Sequence, residues 1–139
     1  MSVRLDNPYR DVRGQWIRGS FHGHCSEHSA CASVPLDESV KRYWEVGAGF
    51  VALTDHDIVT DLSEIQTRYE NLVFLHGLEY STRENVIYVG PQVGPLYQRS
   101  LEEALAAAGA LLTVVCHPQP NGAAREYWTL DKLAALGVW

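Results

Sequence analysis

The sequence predicts an α/β fold made of successive strand–helix units, and three observations carry this prediction. A helical pattern closed by Gly47 is followed by the short apolar run 50–53. The same order returns later, where Gly109 precedes the apolar run 110–116. Polar residues that suit a binding site directly follow both runs. Repeats of this kind are typical of a parallel sheet or barrel.

Length and charge set limits on the class of protein. A chain of 139 residues with 46% hydrophobic residues is long enough for one core, so we expect a single domain over 1–139. The net charge of -6 argues against broad nucleic-acid binding through phosphate neutralisation. No apolar run approaches the roughly 20 residues of a membrane span, and the polar start 1–6 has no signal-peptide core. We therefore expect a cytoplasmic protein without a membrane partner.

The first half of the chain divides into recognisable elements. After an irregular lead-in, the segment 15–24 is predicted to form the first strand. Leu36, Val40 and Tyr43 follow helical spacing, and Pro35 stands near the first turn, where proline is tolerated. The other elements predicted in this half are a strand over 50–53, a helix over 62–69 and two further strands over 72–78 and 85–89.

The second half repeats the pattern. Ser100 followed by Glu103 resembles a capping box that opens an alanine-rich helix ending at Gly109, before the strand 110–116. A third unit begins after Thr129, with a helical face, a glycine stop and the start of a strand: Leu130, Leu133, Ala134, Gly137, Val138 and Trp139. This makes about five strands, whereas a closed barrel of this type needs roughly 200 residues. We expect a truncated architecture with an unpaired strand edge near Val138, and hence a homo-oligomer or aggregation.

Histidines and carboxylates gather where the apolar runs end, which predicts a metal site. His22 and His24 are two apart, so they share one face of an extended strand. Glu79 ends another strand, and a carboxylate within a histidine cluster can bridge two cations. The alternative for Glu79 is a solvated acid paired with Arg83.

The remaining candidates follow other strands. We favour His56 as a ligand supported by Asp55, whereas Asp57 is as well explained as a cap of the next segment. His117 is placed in a rigid turn by Pro118.

The loop after His24 offers Glu27 or His28, of which only one need be a ligand. His76 is excluded, because it precedes Glu79 by three and so faces the other way. The odd number of cysteines, three, favours reduced thiols. For Cys25 and Cys116, small buried residues are favoured over metal contacts.

Four motifs in order along the chain resemble the PHP family, the polymerase and histidinol phosphatase domain. They are His22-Gly23-His24, Thr54-Asp55-His56, Gly77-Leu78-Glu79 and His117-Pro118. The resemblance implies a distorted (β/α)7 TIM-like barrel, of which this chain would be the N-terminal portion, cut after about five strands. It also implies two or three divalent metal ions, usually manganese, iron or zinc, as cofactors.

Carried over to this chain, the resemblance implies a set of metal sites. His22, His24 and Glu79 would hold one metal, and Glu79 would bridge to a second held by His117. His56, with His28 or Glu27, would serve a third. Asp55 and His56 are the catalytic candidates, and a metal-bound hydroxide would attack a phosphate ester.

The chain also departs from the family pattern. Ile87 and Tyr88 occupy a region where many members carry a histidine, and the late Asp-x-His motif is missing. The segment Glu27-His28-Ser29 replaces the usual acidic position, which puts the third metal in doubt.

The leading hypothesis is a phosphoesterase acting on a phosphomonoester, a nucleotide or a short oligonucleotide, so the expected partner is a small phosphorylated substrate. It would be either a piece of a larger enzyme or a short version completed by another subunit. The main alternative is a catalytically silent metal-binding domain, which the missing motif favours. A third alternative is hydrolysis of an amide or lactone by a related dinuclear barrel. Such enzymes often use a carboxylated lysine, and no lysine stands at a predicted strand end.

Overall fold

The structure is a computed structural model that describes residues 7, 9–82, 84–117 and 131. This part of the chain is mixed α/β, with two α-helices and two three-stranded sheets that do not close into a barrel. The elements, in chain order, are β1 (Gly19–Ser20), α1 (Leu36–Glu45), β2 (Phe50–Ala52), a 3-10 helix (Ile65–Arg68), β3 (Val73–Leu75), β4 (Gly77–Tyr80), β5 (Asn85–Val89), α2 (Leu101–Ala107) and β6 (Leu112–Cys116).

The first sheet is parallel, as the sequence predicts, with the order β1-β2-β3. Helix α1 connects β1 to β2 and begins after Pro35, and Gly47 follows it with a φ of 73°. A positive φ is the conformation in which glycine ends a helix without steric cost. Val40 of α1 packs against Val51 of the central strand β2, so the helix covers one face of this sheet.

The second sheet, with the order β4-β5-β6, is antiparallel, which differs from the all-parallel expectation. Only residues 81–84 join β4 to β5, and a parallel crossover needs a dozen or more residues. The short connection therefore forces a hairpin. The predicted capping box is confirmed: Ser100 Oγ accepts a hydrogen bond from Glu103 N–H, and the Glu103 carboxylate accepts one from Ser100 N–H.

The two sheets are joined through consecutive strands. The strand predicted over 72–78 is interrupted at His76, with β3 before it and β4 after it. Beside β4, Glu79 N–H donates to Asp55 O at 3.1 Å, and Asp57 N–H donates to Glu79 O at 2.8 Å. The segment after β2 therefore runs parallel to β4 and places Asp55 and His56 next to Glu79.

Side-chain alternation divides the sheets into two faces. Leu78 and Tyr80 pack under α2 in one core. Ile87 lies on the opposite face, in a small core with Ala52 and Cys116. Glu79 is paired with Ile87 across β4 and β5 and lies on this second face, away from the helices.

Other predicted elements are shorter than expected or lie outside the described residues. The first strand covers only Gly19–Ser20, so the two histidines of His22-Gly23-His24 follow a strand instead of lying within it. The predicted helix over 62–69 is a 3-10 turn. Apart from Asp131, the unit predicted after Thr129 falls outside the described residues, as does the strand edge near Val138. No helix in the described part of the chain has both the length and the apolar character that a membrane crossing requires.

Candidate metal centre

Glu79 is the centre of the candidate site. Its side chain is fully buried on β4, although an isolated carboxylate is costly to remove from water. Gly77 precedes it for a steric reason: a Cβ at this position would lie 2.7 Å from Tyr88 O on the neighbouring strand. The glycine therefore lets β4 and β5 approach closely where Glu79 enters the site.

Four histidines from three separate segments surround the two oxygens of Glu79. Oε2 lies 3.1 Å from His22 Nε2, 3.0 Å from His24 Nε2 and 3.5 Å from His56 Nδ1. Oε1 lies 3.7 Å from His117 Nε2. His117 has a φ of 48°, which is unusual for a residue other than glycine. These residues were all predicted as ligands, and the structure brings them together.

The cluster carries charge in the metal-free chain. A hydrogen bond with Cys116 and a smaller contribution from the hydrogen bond with Glu79 raise the pKa of His22 to about 10, although partial burial opposes this increase. Burial alone would raise the pKa of Glu79. Hydrogen bonds from His22 and His24 outweigh burial and hold the pKa of Glu79 well below its usual range. Glu79 is therefore anionic at neutral pH.

Asp55 supports the site from behind. Its buried carboxylate accepts hydrogen bonds from Cys25 N–H at 2.8 Å, from Ser29 Oγ at 2.6 Å and from Thr60 Oγ1. Ser29 Oγ in turn lies 3.2 Å from His24 Nδ1, so the chain of contacts orients that imidazole. These hydrogen bonds outweigh burial and lower the pKa of Asp55. With no exposed surface, Asp55 acts as a positioning residue.

Two further polar residues hold the site together. Asp57 has a φ of 58°, and its carboxylate accepts hydrogen bonds from Ser81 N–H and Ser81 Oγ. It therefore ties the turn after His56 to the end of β4. Asn85 Nδ2 donates to Glu79 Oε1 at 2.9 Å. Asn85 was not predicted, although it lies two residues before Ile87 and so shares its strand face.

Glu27, His28 and His76 are placed differently from the cluster. Both oxygens of Glu27 accept a hydrogen bond from Leu36 N–H at 3.0 Å, which stabilises the first turn of α1. This hydrogen bond lowers the pKa of Glu27. His28, predicted as a ligand, is exposed, and it belongs to neither group of possible metal donors found among the described residues. His76, which was excluded, is also exposed and outside the cluster.

Two thiols lie beside the histidines. Cys116 Sγ is 3.9 Å from His22 Nδ1, and Cys31 Sγ is 3.3 Å from His56 Nε2. Cys116 is also packed in an apolar core, as predicted, but Cys31 was not considered from sequence. Its only signal was its position in the loop that follows the first histidine pair. Cys25, by contrast, donates to Asp55 Oδ2 at 3.1 Å, and burial raises its pKa to about 12.

The donor set suits divalent metal ions. Imidazole nitrogen, carboxylate and thiolate are the ligands that zinc and related ions accept. His56 Nδ1 is buried with no hydrogen-bond partner among the described residues. Such an orphaned atom beside a carboxylate is consistent with a ligand position. Among the described residues, two groups of three donors have atoms within 4.8 Å of one another: His24, Cys31 and His56, and His22, Glu79 and Cys116.

A cavity of about 470 Å³ opens beside the cluster. Its lining includes His24 and Cys31, together with Arg42 and Tyr43 of α1. Its size is within the range of small-molecule sites. A ligand in this cavity would lie next to the histidine cluster.

Metal binding is expected to release about one proton from His22 near neutral pH, because a coordinating imidazole nitrogen must be unprotonated. The pKa of this group is raised to about 10, so the proton competes with the metal below that pH. Metal affinity should therefore rise as the pH increases toward 10. Calorimetric titration in buffers with different ionisation enthalpies measures the released proton.

The matched variant for this measurement is His22→Ala, in which the release per bound ion should fall by about one proton, and His28→Ala is the control that should retain it. Equal heats in all buffers for the unmodified chain would contradict the expected release.

Comparison of the chain with protein-family models, with curated proteins and with solved structures finds no match.

Proposed function

We propose that this chain is a metal-dependent phosphoesterase domain and that the cluster around Glu79 is its active site. The observation that carries the proposal is the environment of one fully buried carboxylate. Its Oε2 faces His22, His24 and His56, while its Oε1 faces His117. A carboxylate with histidines on both oxygens suits a ligand that bridges two cations.

The proposed fold is of the distorted (β/α)7 barrel type found in the PHP family. The parallel order β1-β2-β3, with α1 between the first two strands, supports it. Support also comes from Glu79, which lies on the sheet face away from the helices. That face is the inner face of a barrel surrounded by helices.

The charge of the site favours an anionic substrate only when cations are bound. The chain has a net charge of -6, and Glu79 is held anionic by its neighbours. Divalent ions would act as Lewis acids that stabilise charge on the phosphoryl oxygens. In the proposed site, His22, His24, His56, Glu79 and His117 would hold these ions.

The residues around the ions would perform separate tasks. Asp55 keeps the His24 imidazole oriented through Ser29. Glu79 and Asn85 fix each other through a hydrogen bond of 2.9 Å. The substrate would enter from the cavity beside His24, whose wall includes the Arg42 side chain. A guanidinium group can interact with a phosphate or with another acidic part of the substrate.

A catalytically silent metal-binding domain is the second candidate. Ile87 is buried and faces Glu79 across the hairpin. The resemblance to the PHP family implies a histidine in this region as a ligand of the second metal. This apolar neighbour favours a site that binds metal but does not turn over substrate.

Elemental analysis of the purified chain, paired with manganese-dependent hydrolysis of a nitrophenyl phosphate ester, tests the proposal. We expect more than one ion per chain and turnover that a chelator removes. Bound metal without turnover would favour the silent domain. A chain that neither retains nor takes up metal would contradict both functions.

A further inference from the structure

We propose that Cys31, with His24 and His56, forms a sulfur-containing metal position of the zinc type beside Glu79. This inference rests on the proposed function, because both histidines belong to the proposed active site. One donor atom of each residue lies within 4.8 Å of the donor atoms of the other two. A thiolate with two imidazoles favours Zn²⁺ or Co²⁺ over Mn²⁺, which prefers oxygen ligands.

The contacts of Cys31 support this assignment. Its Sγ lies 3.3 Å from His56 Nε2, and the His24 and His56 rings are stacked with centroids 4.6 Å apart. His56 also presents its buried Nδ1, which lacks a hydrogen-bond partner among the described residues, toward Glu79 at 3.5 Å. The His56 ring therefore lies between the thiol and the carboxylate.

The loop that carries Cys31 is held in place by its own backbone. Ser29 N–H donates to Cys25 O at 2.9 Å, Ala32 N–H donates to Ser29 O at 3.0 Å, and Ser26 N–H donates to Val34 O at 2.9 Å. These bonds place Cys31 beside the site before any ligand binds. Such preorganisation lowers the entropic cost of coordination.

The same loop offers two other ligand types, but the structure favours the thiol over both. The Glu27 carboxylate is already bonded to the start of α1, and the His28 ring is exposed and outside the cluster. Cys31 lines the cavity beside His24, so an ion can reach its sulfur. On coordination the thiol would lose its proton to the solvent and bind as thiolate.

Cobalt substitution provides the test, because a thiolate bound to Co²⁺ produces a sulfur-to-metal charge-transfer absorption in the near ultraviolet. We expect this band in the unmodified chain loaded with Co²⁺ and its loss in Cys31→Ser. It should remain in the controls Cys25→Ser and Cys116→Ser. Loss in Cys116→Ser instead would assign the thiolate to Cys116 and overturn the proposal.

The result also separates this inference from the proposed function. Bound cobalt without a charge-transfer band would overturn the Cys31 assignment and leave the Glu79 site standing. Failure to bind cobalt at all would contradict both.

Alkylation of the unmodified chain is a second measurement that needs no variant. Cys31 is exposed, whereas Cys25 and Cys116 are buried, so iodoacetamide reports mainly on Cys31 in the folded chain. Zn²⁺ should slow this alkylation by at least about tenfold, because a metal-bound thiolate is less available. Equal rates with and without Zn²⁺ would overturn the proposal.

Discussion

Glu79→Gln is expected to remove metal binding and hydrolysis together. Glutamine keeps the shape of the side chain and one carbonyl oxygen but loses the charge and the second acceptor. His22, His24 and His56 would then surround a neutral group, and bound cations would lack their shared anionic ligand. We expect metal affinity to fall by more than about 100-fold, beyond the roughly 10–100-fold cost of changing an outer-shell partner. Isothermal titration with Mn²⁺ or Zn²⁺ measures this loss.

Glu70→Gln is the matched control, because Glu70 is exposed and its substitution removes the same charge from the chain. This variant should bind metal, and added metal should raise its melting temperature as much as that of the unmodified chain. Metal affinity and turnover that survive in Glu79→Gln would show that this carboxylate is not the central ligand.

Asp55→Ala is expected to destabilise the metal-free chain by about 3 kcal/mol, because buried donors lose their acceptor. The affected groups are Cys25 N–H, Ser29 Oγ–H and Thr60 Oγ1–H. The folded-state pKa of Asp55 is lowered, so its contribution to stability is present above the unfolded pKa and is lost as the pH falls. Urea unfolding at neutral and acidic pH should therefore show a difference between the two chains that shrinks in acid.

Asp11→Ala serves as the control for this experiment, since Asp11 is exposed and should change stability very little. Asp55→Asn keeps the volume and tests the positioning role, because it replaces one acceptor with a donor next to Ser29 and Thr60. A loss of activity with unchanged stability and unchanged metal affinity would instead indicate that Asp55 acts directly on the substrate.

Local patterns in the sequence were sufficient for most of the elements and for the types of ligand. The strand over Asn85–Val89 and the capping box at Ser100 were predicted correctly, because periodicity and caps depend on neighbouring residues. The gathering of His22, His24, His56, Glu79 and His117 also followed from sequence, since each lies at or near the end of a strand.

Other features could be seen only in the tertiary structure, because they depend on strand register and on loop path. His22 meets Glu79 across a separation of 57 residues, and a register change of one residue would turn Glu79 toward α2. The hairpin between β4 and β5 made the second sheet antiparallel and brought Asn85 to the carboxylate.

The loop after the first histidine pair shows the same division between sequence and tertiary structure. From sequence, Glu27 and His28 were alternative ligands, and Cys31 was not considered. Folding directs Glu27 to the start of α1, leaves His28 exposed and brings Cys31 to His56. The sequence by itself therefore determined which donor chemistries are present and the order of the elements. The tertiary structure decided which donors meet, because contacts between distant segments depend on how the whole chain packs.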